Sequence, residues 1–134
     1  MPDPFFDHLG IRIVEGPEDQ GRDGQVVVEM EMRDDLRGPY GLLQGGIVAT
    51  LIDVAGAACA ARAVGPGRGV ATSDMTIRFL APGRVGPIRA TGTPLRAGKN
   101  AAVAEIRVTD AGQDDRLLAV GHLAVSVLSG SPPG

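Results

Sequence analysis

The chain is expected to fold as an α+β domain in which an antiparallel sheet wraps around one long helix. Three observations predict this. An apolar run opens at Gly45-Gly46 and stops at Gly65-Pro66-Gly67, an alternating segment precedes it, and four β-rich segments separated by short turns follow it. With 134 residues the chain has the length of one core, so a single domain over residues 1–128 is expected, with residues 129–134 as a disordered tail.

In chain order, Pro4–Leu9 reads as a short N-terminal helix carrying His8 and resting on the domain. Ile11–Val14 is a short strand, and the polar, glycine-containing stretch Glu15–Gly24 connects it to the next. Gln25–Arg33, QVVVEMEMR, places Val26, Val28, Met30 and Met32 opposite Glu29, Glu31 and Arg33, which is the period of a half-buried strand. The helix follows. Gly65-Pro66-Gly67 ends it, because glycine suits the helix C-terminal cap and proline cannot extend the hydrogen-bond ladder.

Gly69–Leu80, Ile88–Arg96, Ala101–Thr109 and Leu117–Leu128 are rich in β-branched or small apolar residues. Ala81-Pro82-Gly83, Ala97–Asn100 and Asp110–Asp115 separate them as turns, and such short links favour antiparallel neighbours. Helix residues Ala55–Ala61 are all small, so a curved sheet can approach the helix closely. The tail Ser129–Gly134, SGSPPG, has too little apolar content to order itself.

Composition narrows the function. A net charge of −3 without blocks of like charge gives no footprint for nucleic acid or a membrane surface, so a small molecule or a protein is the expected partner. Cys59 is the only cysteine and forms no intrachain disulfide; it reads as a small core residue. The N-terminal MPDPFFDHLG lacks the basic-then-apolar plan of a secretory signal, and a cytoplasmic protein is expected. Ile47–Val64 is apolar but contains Asp53 and Arg62 and is largely Ala and Gly, so it reads as a buried helix and not a membrane span.

The helix carries the candidate site. Asp53 stands among Leu51, Ile52, Val54 and Ala55, where an aliphatic residue is ordinary. Gly45 and Gly46 leave the first helical amides uncovered by side chains, an electropositive patch for an anion or a polarised carbonyl oxygen. A structural acid held by hydrogen bonds from a neighbouring strand or subunit gives the same pattern, as does plain close packing at the glycine pair. His122, within the apolar strand AVGHLAVSV, reads as a sheet residue. His8 and His122 are far apart and joined to no Cys or acid at ligand spacing, so no metal is invoked.

The strand-first order, the Gly45-Gly46 helix start, Asp53 eight residues after the first glycine, and the strand Thr72–Pro82, TSDMTIRFLAP, together resemble the hotdog-fold thioesterases of the phenylacetic-acid-degradation (PaaI-like) group. The similarity spans roughly Gly38 to Leu128. The resemblance implies a hotdog fold, a homodimer or homotetramer, and an acyl-CoA thioesterase in which the Gly45 amide polarises the thioester carbonyl. Asp53 attacks it or activates water, and Thr72 helps to hold the water. No cofactor is implied; coenzyme A is part of the substrate.

Two positions depart from the family pattern. Gln44 stands where the family has His, and Gly38 where an Asn often lies; Gln exchanges hydrogen bonds but does not titrate near neutral pH. The alternative they leave open is a non-catalytic binder of acyl-CoA or another apolar carboxylic ligand. Thr72 and Ser73 alternate on a strand, so at most one faces the site. Gly46, Tyr40, Leu43, Ile47, Leu51 and Ser73 are candidates for the substrate pocket, and Arg78, Arg84, Arg96 and Lys99 for the phosphates of coenzyme A, Arg78 foremost. Aryl, medium-chain and short-chain acyl groups all remain open.

At about 1.5 Å per residue, Gly45 and Asp53 lie about 12 Å apart along one helix axis. One thioester group cannot touch both. If both act in one reaction they come from different chains, and a two-fold dimer would build two such composite sites.

Overall fold

Asp3 opens the chain's first helix, α1 (Pro4–Leu9), by accepting hydrogen bonds from the amides of Phe5 and Phe6, and Gly10 at φ 73° closes it. The computed structural model describes residues 3–15 and 24–129. After α1 come β1 (Ile11–Glu15), β2 (Val26–Met30), a 3₁₀ turn (Asp34–Leu36) and the long helix α2 (Gly45–Val64). Then follow β3 (Val70–Phe79), β4 (Ile88–Ala97), β5 (Ala101–Asp110), a second 3₁₀ turn (Ala111–Gln113) and β6 (Arg116–Val127). The connection expected over Glu15–Gly24 and the tail Ser129–Gly134 fall, but for their ends, outside the described residues.

The six strands form one antiparallel sheet in the order β1-β2-β4-β5-β6-β3. The α+β architecture expected from the sequence is the one observed. β2 is shorter than its pattern predicts, ending at Met30 rather than at Arg33. Met30 pairs with Ile11 on one side and Ile88 on the other, and these are the terminal residues of β1 and β4. No ladder remains beyond them for residues 31–33.

The helix packs on the sheet through Val48, Leu51, Ile52, Ala55, Gly56, Cys59 and Ala60, all buried. Close approach depends on missing side chains: a Cβ at Gly56 would lie 2.6 Å from Leu123 Cδ2, and one at Gly92 would lie 2.9 Å from the Ala55 carbonyl oxygen. Burial pushes the Cys59 thiol up to about 11, which makes it an inert core group. By length and composition α2 is apolar enough to cross a membrane, at a mean hydropathy of 1.7. Its buried side faces strands instead. The helix is buried along the face that meets the sheet, while Asp53, Val54, Ala57, Ala58 and Ala61 stay partly exposed.

Glu29 also departs from the pattern, because alternation puts it on the solvent side of β2 and yet it is only 6% exposed. Its cross-strand neighbours Arg12 and Arg89 flank it in register and both bond its carboxylate. The hydrogen bond from Arg89, with the charge of Arg89 and Arg12, outweighs burial and holds Glu29 below the usual carboxylate range. A carboxylate lowered on folding contributes stability that is fully present above its unfolded value, about 4, and is lost as pH falls through the folded value. Thermal unfolding followed from pH 7 to pH 2 should show the melting temperature falling below about pH 4. Glu29→Gln should weaken that dependence.

Candidate active site

On α2, Asp53 points toward β3, where the Thr72 hydroxyl donates a 2.6 Å hydrogen bond to Asp53 Oδ1. The pair stands at one wall of a cleft of about 430 Å³. Val54, Ala57, Ala58 and Ala61 line it from α2 at i, i+3, i+4 and i+7 spacing, together with Val70 of β3 and Phe5 and Phe6 of α1. α1 is fixed there by the buried Leu9 and by Arg33 Nη1, which donates to the His8 carbonyl at 3.0 Å. Sequence reasoning missed both phenylalanines. Nothing in the local pattern ties residues 5 and 6 to residue 53.

A bulge in β3 decides which side chain reaches the acid. Thr72 pairs with Val125 and Asp74 with Ala124, so Ser73 is the extra residue, and its hydroxyl donates to the Ala124 carbonyl at 3.1 Å. Beyond the bulge Ile77 packs on the core and Phe79 on Gly45, which turns Thr76 and Arg78 to the opposite sheet face. Arg78 there lines a separate depression of about 210 Å³ with Thr76, Val120 and His122. His122 pairs with Glu105 at 3.3 Å.

The helix start forms the second part of the candidate site. Gln44 is the N-cap of α2 at φ −65° and ψ 138°, and Gly45 and Gly46 are exposed. Gly38 lies against Gln44: a Cβ there would stand 3.7 Å from Gln44 Cγ. The two positions that depart from the family pattern are therefore spatial neighbours. Tyr40 is 89% exposed on the preceding loop.

Some expected pocket residues are placed elsewhere. Leu43 and Leu51 are buried in the core and Ile47 packs against it, so none of the three lines the cleft beside Asp53. Leu43 fills the space left by Gly83, where a Cβ would be 3.1 Å from its own. Nor do Arg78, Arg84, Arg96 or Lys99 line that cleft. Lys99 instead offers its carbonyl to Arg68 at 2.7 Å.

A family model described as the thioesterase superfamily matches residues 40–116, a segment that holds both Gly45 and Asp53. The 1,4-dihydroxy-2-naphthoyl-CoA hydrolase of Listeria monocytogenes is 29% identical over 119 residues, 89% of this chain and 91% of that protein. Among solved structures, a Haemophilus influenzae thioesterase superposes with a TM-score of 0.82 at 26% identity, covering 92% of this chain and 82% of that one. The E. coli PaaI protein from the phenylacetic acid degradation operon superposes with a TM-score of 0.79 at 25% identity, over 96% of this chain and 87% of that one.

Proposed function

This chain belongs to the thioesterase superfamily and has its hotdog fold, and we propose that it hydrolyses the thioester of an aromatic acyl-CoA with Asp53 as the reacting acid. The observation that carries this reading is the Asp53–Thr72 pair at the wall of an apolar cleft. Thr72 holds Oδ1, which fixes the carboxylate and leaves Oδ2 for the chemistry. Asp53 attacks the thioester carbon or draws a proton from the attacking water. Thiolate departs without needing a strong acid, and no cofactor takes part.

The oxyanion site is the Gly45 amide of a second subunit. Eight residues of helix put the Gly45 and Asp53 of one chain about 12 Å apart, too far for one carbonyl group. β3 offers the means of bringing two chains together, because it is a ten-residue edge strand with nearly every residue exposed. Such an edge is a template for another strand. A two-fold contact there sets the helix start of each chain near the cleft of the other, and an amide aimed at the developing oxyanion contributes about 3–4 kcal/mol.

Support for an aromatic acyl group comes from the cleft and from the Listeria relative, whose name specifies a naphthoyl thioester. Two phenylalanines with Val and Ala side chains give the cleft an apolar, aromatic lining that suits a flat ring, and ring pairs contribute about 0.5–1.5 kcal/mol beyond area burial. Phe5 is 52% exposed, so its removal should leave the fold intact. Phe5→Ala is expected to lower kcat/KM for an aromatic acyl-CoA by about tenfold and for acetyl-CoA by less than about twofold, measured as free thiol release.

The overall reading is tested by thiol release across aromatic, medium-chain and short-chain acyl-CoA esters. Turnover that is fastest with aromatic esters is the expected result. Tight binding without release would replace it with the non-catalytic binder that Gln44 and Gly38 allow.

A further inference from the structure

Asp110, at the end of β5, is a carboxylate with 0% exposure that takes no part in the chemistry above. Its Oδ2 accepts from the amides of Arg84 at 2.8 Å and Val85 at 3.1 Å and from the Gln113 side chain at 2.6 Å. Its Oδ1 accepts from the amides of Gly86 at 2.7 Å and Gly112 at 3.2 Å. Five N–H donors therefore converge on one buried carboxylate, three of them successive amides of a single loop. Burial alone would raise its pKa, but these bonds outweigh burial and hold it below the usual range.

That loop in turn carries the segment leading into α2. The Gly83 carbonyl accepts the Leu43 amide at 3.0 Å, and the Arg84 carbonyl accepts Arg37 Nη1 at 3.0 Å. Arg37 Nη1 also bonds the Gly41 carbonyl at 2.8 Å, and the Gln44 amide donates to the Leu36 carbonyl at 3.2 Å. Leu43 and Gln44 immediately precede Gly45. We propose that Asp110 is a positioning residue for the Gly45 amide, acting through the 83–86 loop and then the 37–44 segment. This rests on the reading that the Gly45 amide receives the thioester oxygen. Asp110 itself touches no substrate.

The chemistry of the cluster selects a carboxylate. Asn keeps the volume of Asp but turns one acceptor oxygen into a donor, and each oxygen here faces at least two N–H groups. Asp110→Asn therefore forces donor against donor and loosens the loop, and an oxyanion donor displaced by about 1 Å can cost 10²-fold in rate.

The test is a double-mutant cycle on the full-length protein, comparing Asp110→Asn in the parent and in Gly45→Pro, which lacks the amide. Rates are measured well below the melting temperature and normalised to folded protein by circular dichroism. The expected result is a loss of kcat of about tenfold in the parent with KM changed less than twofold, and no further loss in Gly45→Pro. Equal losses in both backgrounds, or a change in KM alone, would show that Asp110 acts on stability or elsewhere and would overturn the proposal. If Gly45→Pro retains the parent kcat, the amide is not the oxyanion donor, and both the functional reading and this proposal fall. Should Asp110→Asn not fold, Arg37→Gln, which cuts the Arg84 carbonyl link on a partly exposed side chain, takes its place in the same cycle with the same criteria.

Discussion

Replacing Asp53 with Asn is expected to lower kcat for acyl-CoA hydrolysis by about 10²- to 10⁴-fold, the range removed with a general acid–base group. The amide oxygen of Asn still accepts the 2.6 Å bond from Thr72, so the fold and the cleft persist. KM should change little, because the proposed acyl site is made by the apolar residues of the cleft and not by the carboxylate. Single-turnover hydrolysis in oxygen-18 water then tests the nucleophilic route, since direct attack by water leaves the Asp53 side chain unlabelled. Heavy oxygen incorporated into the Asp53 side chain marks an acyl-enzyme anhydride opened at the Asp53 carboxyl. Undiminished hydrolysis by Asp53→Asn would remove Asp53 from the mechanism and return it to the role of a strand-bonded structural acid.

The helix was legible because its signal is local. A run of small apolar residues between a glycine pair and Gly65-Pro66-Gly67 has few other outcomes, and the observed helix runs from Gly45 to Val64. Strand positions were legible for the same reason, but their ends were not, since β2 stops at Met30 only because β1 and β4 have no further residues to offer. Glu29 shows the same limit. Its burial depends on Arg89, 60 residues away, arriving in register from β4.

The candidate site divides in the same way. Asp53 stood out against its aliphatic neighbours, and Thr72 is the residue that meets it. Arg78 was out of reach of pattern reasoning, because the bulge at Ser73 shifts the alternation and sends it to the other face of the sheet. Phe5 and Phe6 share the cleft with α2 residues some fifty positions away in the chain, a tertiary placement with no counterpart in local spacing. Asp110 read as one polar residue of a turn. Only the convergence of the 84–86 amides marks it as the anchor of the loop behind the helix start.

Mixing subunits defective at Asp53 with subunits defective at Gly45 is expected to restore activity that neither has alone. Gly45→Pro removes the amide with little distortion, because it is the first residue of α2, where proline is favoured and the amide has no intrahelical partner. Gln44 already has the extended conformation required before proline, and a Cβ at position 45 would meet Phe79 Cε1 at an ordinary 3.5 Å. Loss of this donor is expected to lower kcat by about 10²- to 10³-fold. In a heterodimer the Asp53→Asn subunit supplies an intact amide to the intact acid of its partner, so one of two sites is whole. Random mixing makes half the dimers hetero, which sets the expected recovery at about a quarter of the parent activity. If each chain instead held its own acid and its own donor, every site in the mixture would carry a defect. Heterodimers verified by native mass spectrometry yet inactive would thus place the whole reaction within one subunit, which the helical rise of about 12 Å between Gly45 and Asp53 argues against.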